Sequence, residues 1–236
     1  MKKEKIKIIW YGRCCFLIEI NGTKILTDPH DTFDGVDMGL VKADYIVSSS
    51  SWHDHGHIGA SPSAIIISEP GTYKIKNNIV IKGIQTKEQR GTSNVIFNIK
   101  WGKYSITNFA DLGDKNYLQK LSNCKKKTLS STNIAFVRPG EVDGTNMTLM
   151  NLALKSCTPQ IIIPHHYYPA IFSKRTKGKL SKNLLRTCER VHAAVASTEF
   201  KEKQINGSGT TLDLIDYKEK NALMFNNMHK QVKQIT

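Results

Sequence analysis

The chain has few cysteines, and they are not arranged as metal-binding or disulfide pairs. Five cysteines are scattered over 236 residues, and no Cys-x-x-Cys motif occurs among them. An odd and scattered set is typical of reduced, mostly buried thiols rather than of a disulfide framework or a zinc ribbon.

Long hydrophobic runs are also missing. No stretch reaches the roughly eighteen apolar residues that a membrane-spanning helix needs. The apolar stretch from Ile6 to Trp10 is too short for the core of a signal peptide. We therefore expect a cytoplasmic protein with no membrane partner.

Acidic residues are scarce relative to basic ones. The chain has 20 Asp and Glu against 34 Lys and Arg, which gives a formal net charge of +14. A strongly positive field favours anionic partners, such as phosphorylated small molecules or nucleic acid. A lysine-rich composition with solvated side chains gives the same charge, so both interpretations stay open. Few aromatic residues stand among the lysines, which argues against a stacking platform for single-stranded nucleic acid.

The hydrophobic pattern predicts strands in the first half of the chain and a mixture of helices and strands in the second. Phe16–Ile20 and Lys24–Thr27 flank Asn21-Gly22, which is the signal of a β-hairpin. Other strands or hairpins are predicted at Lys5–Trp10, Tyr45–Val47, Ala64–Ile67, Ile75–Ile81, Val95–Ile106, Ile134–Val137, Ile161–Ile163 and Thr211–Ile215. Helices are predicted at Lys115–Cys124, Thr145–Cys157 and Lys182–Ala196.

Two sets of strands with helices outside them predict an α/β (α+β) fold, arranged as a four-layer αββα sandwich. The sequence shows no internal repeat, no Gly/Ser linker and no low-complexity tract. We therefore predict a single domain over residues 1–236, with a basic loop at about residues 172–183. The sequence leaves open whether the protein forms a homo-oligomer.

The segment from Asp44 to His57 is the most informative motif. A short apolar strand leads into Ser-Ser-Ser-Ser-Trp-His-Asp-His-Gly-His. It resembles the strand and Thr-His-x-His-x-Asp-His corner of the metallo-β-lactamase superfamily. Further segments resemble that superfamily in the same order, with most similarity to its ascorbate-6-phosphate lactonase-like branch: Tyr11–Glu19, Ile25–Pro29, Glu69–Tyr73, Arg90–Phe97, Asn108–Gly113 and Ile161–Tyr167.

The resemblance implies a site for two metal ions, of which this chain keeps one half. The ligands of the first ion correspond to Ser50, Trp52 and Asn108, none of which is a normal zinc ligand. We predict that this first site is lost and that the Trp52 ring fills its space. The ligands of the second ion correspond to Asp54, His55, Asp111 and His166. Such a set suits zinc first, and also manganese or iron(II), so we expect one ion per chain or none.

Each of these residues also has an ordinary structural interpretation. Asp54 suits the cap of a following helix, and Asp111 suits a turn. A histidine such as His166 is more often structural than a metal ligand. His30, His53 and His57 offer other ligands, but a register with His53 and His55 as the His-x-His pair breaks the spacing from the strand.

The resemblance implies a hydrolase that acts on an anionic substrate, either phosphorylated or a lactone or ester, through water activated by one metal ion. Asp54 would orient or deprotonate that water, and Asp111 would hold its other face. Arg13 and the basic residues Lys174, Arg175 and Lys177 would bind the substrate. The alternative is a catalytically inactive relative that binds an anionic ligand or nucleic acid. A nucleic-acid-processing enzyme is a weaker alternative, because only the net charge favours it.

Overall fold

The computed structural model describes residues 5–32, 36–140, 148–167, 191–212, 219–231 and 233–234. In these ranges the chain forms two large β-sheets, a two-stranded ribbon and a few short helices. The expected mixed α/β class is confirmed.

The first sheet has six strands in the order β14-β1-β2-β3-β5-β6. Its strands are β1 (Ile6–Gly12), β2 (Cys15–Ile20), β3 (Thr23–Thr27), β5 (Tyr45–Val47), β6 (Ile65–Ile67) and β14 (Gly209–Leu212). The predicted hairpin joins β2 and β3, and its turn residues Asn21 and Gly22 both have positive φ. Strands β2 and β3 are antiparallel to each other, whereas β3, β5 and β6 are parallel to one another.

The second sheet has eight strands in the order β13-β15-β12-β11-β10-β9-β8-β7. Its strands are β7 (Gly71–Lys74), β8 (Val80–Lys87), β9 (Ser93–Trp101), β10 (Tyr104–Asn108), β11 (Ile134–Val137), β12 (Ile161–Pro164), β13 (Lys201–Ile205) and β15 (Asn221–Phe225). The strands β10, β11, β12 and β15 are parallel to one another. The small ribbon pairs β4 (Val36–Asp37) with β16 (Lys233–Gln234).

The two large sheets share one hydrophobic core. Phe16 of the first sheet stacks on Phe136 of the second with ring centroids 4.6 Å apart, and Trp10 stacks on Tyr167 at 4.7 Å. Burying each such aromatic side chain contributes about 1.5–3 kcal/mol. This core fixes the ends of the parallel strands of both sheets relative to each other, and the loops that follow those ends carry the predicted site residues.

The described helices are α1 (Tyr117–Lys120), α2 (Asn123–Ser130) and α3 (Leu149–Leu154), and residues 191–196 are also helical. The prediction of a single helix over Lys115–Cys124 is wrong, because the backbone becomes extended at Leu121 and ends α1 there. A second helix, α2, then begins, and its N-cap Ser122 accepts a hydrogen bond from the Lys125 N–H. The predicted Thr145–Cys157 helix is observed only as α3, and its residues 145–147 lie outside the described part.

Other predicted elements differ at their ends. The predicted hairpin within Ile75–Ile81 is instead the turn between β7 and β8, where Asn77 and Asn78 have positive φ. The prediction for Lys182–Ala196 is met over 191–196, and the remainder falls on residues that are not described. No helix in the described ranges combines the length and the apolar composition needed to cross a membrane.

Candidate metal centre

The candidate site lies where loops from both sheets meet. It is built from the β1–β2 turn and from the residues that follow β3, β5, β10, β11 and β12. Loops at the ends of parallel strands, held by a rigid core, are common positions for functional side chains. The side chains that meet here are those of Arg13, Cys14, Asp28, Asp54, His55, Asp111, Arg138 and His166.

The four predicted ligands of the second metal ion come together. One ligand atom from each of Asp54, His55, Asp111 and His166 lies within 4.8 Å of those of the others. His55 Nε2 is 3.5 Å from Asp111 Oδ2 and 3.8 Å from Asp54 Oδ2, and His166 Nε2 is 3.1 Å from Asp111 Oδ1. Residues far apart in the sequence therefore form one group with spacings suited to a single ion.

Two side chains contact the Nδ1 atom of the His55 ring, on the side away from the other ligands. Its Nδ1 lies 3.1 Å from Ser49 Oγ and 3.6 Å from Asp28 Oδ2, while Nε2 faces the other ligands. Metal-binding histidines usually have such a partner on the second ring nitrogen, which fixes the orientation of the ring. The arrangement presents Nε2 of a side chain that is 1% exposed to the centre of the group.

Two atoms of the group lack a hydrogen-bond partner among the described residues. These are His166 Nε2 and Asp111 Oδ1, both buried; they face each other at 3.1 Å without the alignment of a hydrogen bond. Buried polar atoms are almost always satisfied, so an unsatisfied imidazole nitrogen beside an unsatisfied carboxylate oxygen fits a metal ion. On this observation the residues present suit a divalent cation.

The protonation states follow from burial and from neighbouring charges. Burial would raise the pKa of Asp111, but His166, His55 and Arg138 hold it well below its usual range. Burial lowers the pKa of His166 to about 4, so its ring is neutral at neutral pH. Burial would also lower the pKa of His55, but Cys14, Asp111 and Asp28 outweigh that effect and raise it well above its ordinary value.

Two arginines contact the carboxylate ligands. Arg13 Nη2 donates to Asp54 Oδ2 at 2.9 Å, and Arg138 Nη1 donates to Asp111 Oδ2 at 2.5 Å. Arg13 was predicted from the sequence, and the structure brings it to the site. Arg138 was missed, although it follows the buried strand β11 directly and so lies at the same sheet edge as Asp111.

Cys14 is a second residue that sequence reasoning missed. Its thiol is 1% exposed, donates to the Asp54 carbonyl oxygen at 2.9 Å, and lies 3.8 Å from His55 Nε2. Burial raises the pKa of this thiol to about 11, while His55 acts in the opposite direction. Cys14, His55 and His166 form a second group at metal-ligand distance.

The residues at the positions that the family resemblance assigns to a first metal ion make hydrogen bonds within the protein or lie partly exposed. Asn108 is buried and donates from Nδ2 to Asp28 Oδ2 at 2.6 Å, and Ser50 Oγ accepts from the Trp52 N–H at 3.2 Å. The Trp52 side chain is 45% exposed, so the expectation that its ring fills a buried ligand position is wrong. The physical reason is that the loop turns back at Trp52, whose carbonyl oxygen accepts from the N–H groups of His55 and Gly56.

The structural alternatives can be compared with the observed contacts. No helix begins at Asp54, since the next short helix starts at Ile58 and its N-cap is His57. His30 is buried, with its two ring nitrogens 2.8 and 3.3 Å from the carbonyl oxygens of Asp31 and Tyr11. In the described part of the chain, neither His53 nor His57 belongs to a group at ligand distance. The predicted substrate-binding residues Lys174, Arg175 and Lys177 lie outside the described residues.

Backbone strain is concentrated around the group. Seven described residues other than glycine have positive φ, and three of them are asparagines in turns. The other four are Arg13, Asp28, Ala110 and His166, with φ between 44° and 60°. Such conformations cost roughly 1–3 kcal/mol each and tend to occur where function requires a fixed geometry.

A cavity of about 370 Å³ adjoins the loop that precedes Asp54. Its wall is rich in hydroxyl groups, with Ile58, Ile66 and Glu69 at other points. The serines that line it are Ser48, Ser49, Ser50, Ser51, Ser68 and Ser93. The volume is in the range of sites for small molecules.

Comparison with known proteins places the chain in a family. A family model described as "Beta-lactamase superfamily domain" matches residues 7–166. A UPF0173 protein of Pyrococcus furiosus is 42% identical over 65 residues, a match that covers 27% of this chain and 29% of that protein. The match thus spans less than a third of this curated relative.

Two solved structures have the same fold. The first is a protein from Thermotoga maritima named as a Zn-dependent hydrolase of the metallo-β-lactamase superfamily, with a TM-score of 0.64 and 23% identity over 95% of this chain and 100% of that one. The second is the metallo-β-lactamase fold protein YhfI from Bacillus subtilis, with a TM-score of 0.51 and 14% identity over 75% of this chain and 92% of that one. The predicted fold is confirmed, while the predicted lactonase-like branch stays a prediction. With its two large sheets and with most of its length matched by the family model, the chain belongs to the metallo-β-lactamase superfamily.

Proposed function

We propose that the protein is a hydrolase that uses one divalent metal ion, with zinc as the first candidate, and acts on a small anionic substrate. The observation that carries the proposal is the convergence of Asp54, His55, Asp111 and His166, in which two buried ligand atoms lack a hydrogen-bond partner among the described residues. Buried groups left in this state are costly unless something binds them.

A bound divalent ion would supply a Lewis acid and a water molecule of lowered pKa. The carboxylate of Asp54, which is 17% exposed, is placed to orient a water and to accept its proton. Asp111 is more deeply buried and fixed by Arg138, so its role is to hold the ion. Ser49 and Asp28 keep the ring of His55 in one orientation.

The substrate would bind at the ligand group, beside Arg13 and Arg138. Arg13 and Arg138 supply positive charge at the point where negative charge develops during hydrolysis. The net charge of +14 supports an anionic substrate by raising its local concentration. The basic residues Lys174, Arg175 and Lys177 remain candidates for recruiting it.

One observation favours a second candidate function. Each carboxylate ligand is already neutralised by an arginine, so the group is electrostatically balanced without a metal ion. A catalytically inactive protein that binds an anionic ligand would have the same contacts. The amount of bound metal separates the two functions.

Metal affinity in solution tests the proposal. Calorimetric titration with zinc and manganese should give one ion per chain for the wild type and affinity weaker by more than about tenfold for His166→Ala. His192→Ala is the matched control, because His192 is exposed and pairs with Glu202 on the edge strand β13. Hydrolysis of phosphomonoester, phosphodiester or lactone substrates should then require the ion and be lost in His166→Ala. A protein that binds no ion would contradict the proposed function.

A further inference from the structure

Arg13 and Arg138 contact the carboxylates at the oxygens that face the centre of the ligand group. Arg13 donates to Asp54 Oδ2, which is the oxygen 3.8 Å from His55 Nε2. Arg138 donates to Asp111 Oδ2, which is the oxygen 3.5 Å from the same nitrogen. The guanidinium groups therefore bind carboxylate oxygens that lie within 3.8 Å of His55 Nε2, while Asp111 Oδ1 is left to face His166 Nε2.

A guanidinium and a divalent ion compete for such an oxygen, because each offers it a positive charge. A cation that binds Asp54 and Asp111 weakens both ion pairs. It also repels the two guanidinium groups, since like charges a few ångströms apart disfavour each other. Metal binding thus weakens the contacts of Arg13 and Arg138 with Asp54 and Asp111, and their guanidinium groups can then donate hydrogen bonds to another anion.

The position and the chemistry of Arg138 suit it to that role. Its side chain is 34% exposed, so part of it reaches the solvent while Nη1 touches Asp111. Arginine presents a rigid planar fork of N–H donors that matches the oxygens of a phosphate. Two such groups carry together a charge of about +2, close to the opposite charge of a phosphate monoester at neutral pH. A neutral lactone offers no such match.

We propose that Arg13 and Arg138 form a guanidinium pair that binds the phosphate group of the substrate when a cation occupies the ligand group, so that metal ion and phosphate bind cooperatively. This inference rests on the proposed function and narrows its substrate class to phosphorylated small molecules. It also accounts for the lost ligand positions, because the pair supplies the positive charge that a second metal ion would bring.

Cooperativity is reciprocal, which makes it measurable through the metal alone. If zinc strengthens phosphate binding, phosphate strengthens zinc binding by the same factor. Zinc affinity should be measured by competition with a chromophoric chelator, with and without inorganic phosphate. For the wild type, phosphate should tighten zinc binding about tenfold, a typical coupling between sites.

Variants at Arg138 show whether the coupling between zinc and phosphate depends on its guanidinium group or on direct contact between phosphate and zinc. In Arg138→Gln the effect of phosphate should fall below about twofold, while zinc alone binds more tightly because the competing guanidinium is gone. Arg138→Lys keeps the charge without the fork and should retain part of the coupling. Lys103→Gln removes the same charge from the exposed turn at the opposite end of β10 and should behave like the wild type.

Each result decides the inference. Zinc binding that is unaffected by phosphate in the wild type would overturn it and leave the metal site in place. Equal coupling in the wild type and in Arg138→Gln would also overturn it, as would zinc binding alone that is no tighter in Arg138→Gln. A wild type that binds no zinc would overturn both this inference and the proposed function. Thermal melting of each variant shows whether it is folded, and Arg138→Lys provides the test if Arg138→Gln is not.

Discussion

At the scale of single residues, Asn108 shows how a position that resembles a ligand site can become structural. Its Nδ2 donates to Asp28 Oδ2 at 2.6 Å, and its Oδ1 accepts from the Ala110 N–H at 3.0 Å. Asp28 follows β3 of the first sheet, and Asn108 ends β10 of the second. The amide therefore joins the two sheets beside the candidate metal centre, and both of its polar atoms are already hydrogen-bonded.

Replacing Asn108 by leucine, which has a similar volume, should lower the free energy of unfolding by about 1–3 kcal/mol. The reason is that a buried Asp28 oxygen and the Ala110 N–H would both lose a partner. Urea denaturation measures the change. Asn123→Leu on the exposed face of α2 is the control and should change stability by less than about 0.5 kcal/mol. Equal stability of Asn108→Leu and the wild type would contradict the structural role.

The sequence was sufficient to predict which four side chains come together, because Asp54, His55, Asp111 and His166 stand in short motifs at strand ends. Arg138 and Cys14 could not be recognised as site residues in the same way. Arg138 depends on the parallel pairing of β10 and β11, which brings the ends of both strands to one edge. Cys14 depends on the β1–β2 turn, which is held at the group by the Arg13 carbonyl oxygen that accepts from the His166 N–H.

At the scale of elements, the loop that carries Asp111 is fixed by the β8–β9 hairpin. The N–H groups of Gly113 and Asp114 both donate to the Lys87 carbonyl oxygen, at 3.0 and 3.1 Å. A Cβ on residue 113 would lie 2.2 Å from the Gln89 backbone nitrogen. Only glycine permits this close approach of loop and hairpin.

Gly113→Ala should therefore move the loop and with it Asp111. We expect a loss of about 1–3 kcal/mol in the free energy of unfolding, as for other overpacked positions. Zinc affinity should fall as well, because Asp111 would no longer meet His55 and His166. Chemical denaturation and zinc titration check the two effects. Unchanged zinc affinity would show that the loop tolerates the added methyl group without moving Asp111.

Asp44, which directly precedes β5, is hydrogen-bonded to the neighbouring β2–β3 hairpin. This contact makes the free energy of unfolding depend on pH. Its Oδ2 accepts from the Lys24 N–H at 2.9 Å, and its Oδ1 accepts from Lys76 Nζ at 3.3 Å. The hydrogen bond from Lys24 and the charge of Lys76 lower the pKa of Asp44. A lowered folded-state pKa gives stability that is present above the ordinary aspartate pKa and is lost as the pH falls through the lowered value.

Asp44→Asn should thus destabilise the protein at neutral pH by less than about 1 kcal/mol, because solvent screens this partly exposed pair. The difference from the wild type should shrink as the pH falls through the lowered pKa of Asp44. Urea midpoints of both proteins over a series of pH values measure it. A difference that stays constant with pH would rule out the assigned charge effect.

Strands that carry apolar runs could be predicted from the sequence, whereas strands defined by backbone pairing could not. Tyr45–Val47 is buried throughout and was placed correctly. The edge strand β13 reads Lys-Glu-Lys-Gln-Ile and is mostly exposed, so its sequence has no hydrophobic signal. It exists because its backbone pairs with β15 along five residues. Exposed charges on such an edge also discourage pairing with other chains.

At the scale of the whole molecule, the double sheet brings together residues that are far apart along the chain. Asp54 and His55 follow a strand of the first sheet, while Asp111, Arg138 and His166 follow strands of the second. The shared core fixes the positions of both sets of strand ends relative to each other. The two carboxylates of this cluster are paired with Arg13 and Arg138, and the whole chain carries a formal net charge of +14.

The proposed metal centre holds a single ion between Asp54, His55, Asp111 and His166. Crystals grown from zinc-loaded protein, with diffraction measured on both sides of the zinc absorption edge, test it most directly. We expect one anomalous peak per chain, within ligand distance of these four side chains. Two peaks, or one peak beside Ser50 and Asn108, would contradict the loss of the first site. The absence of any peak would contradict the metal centre itself.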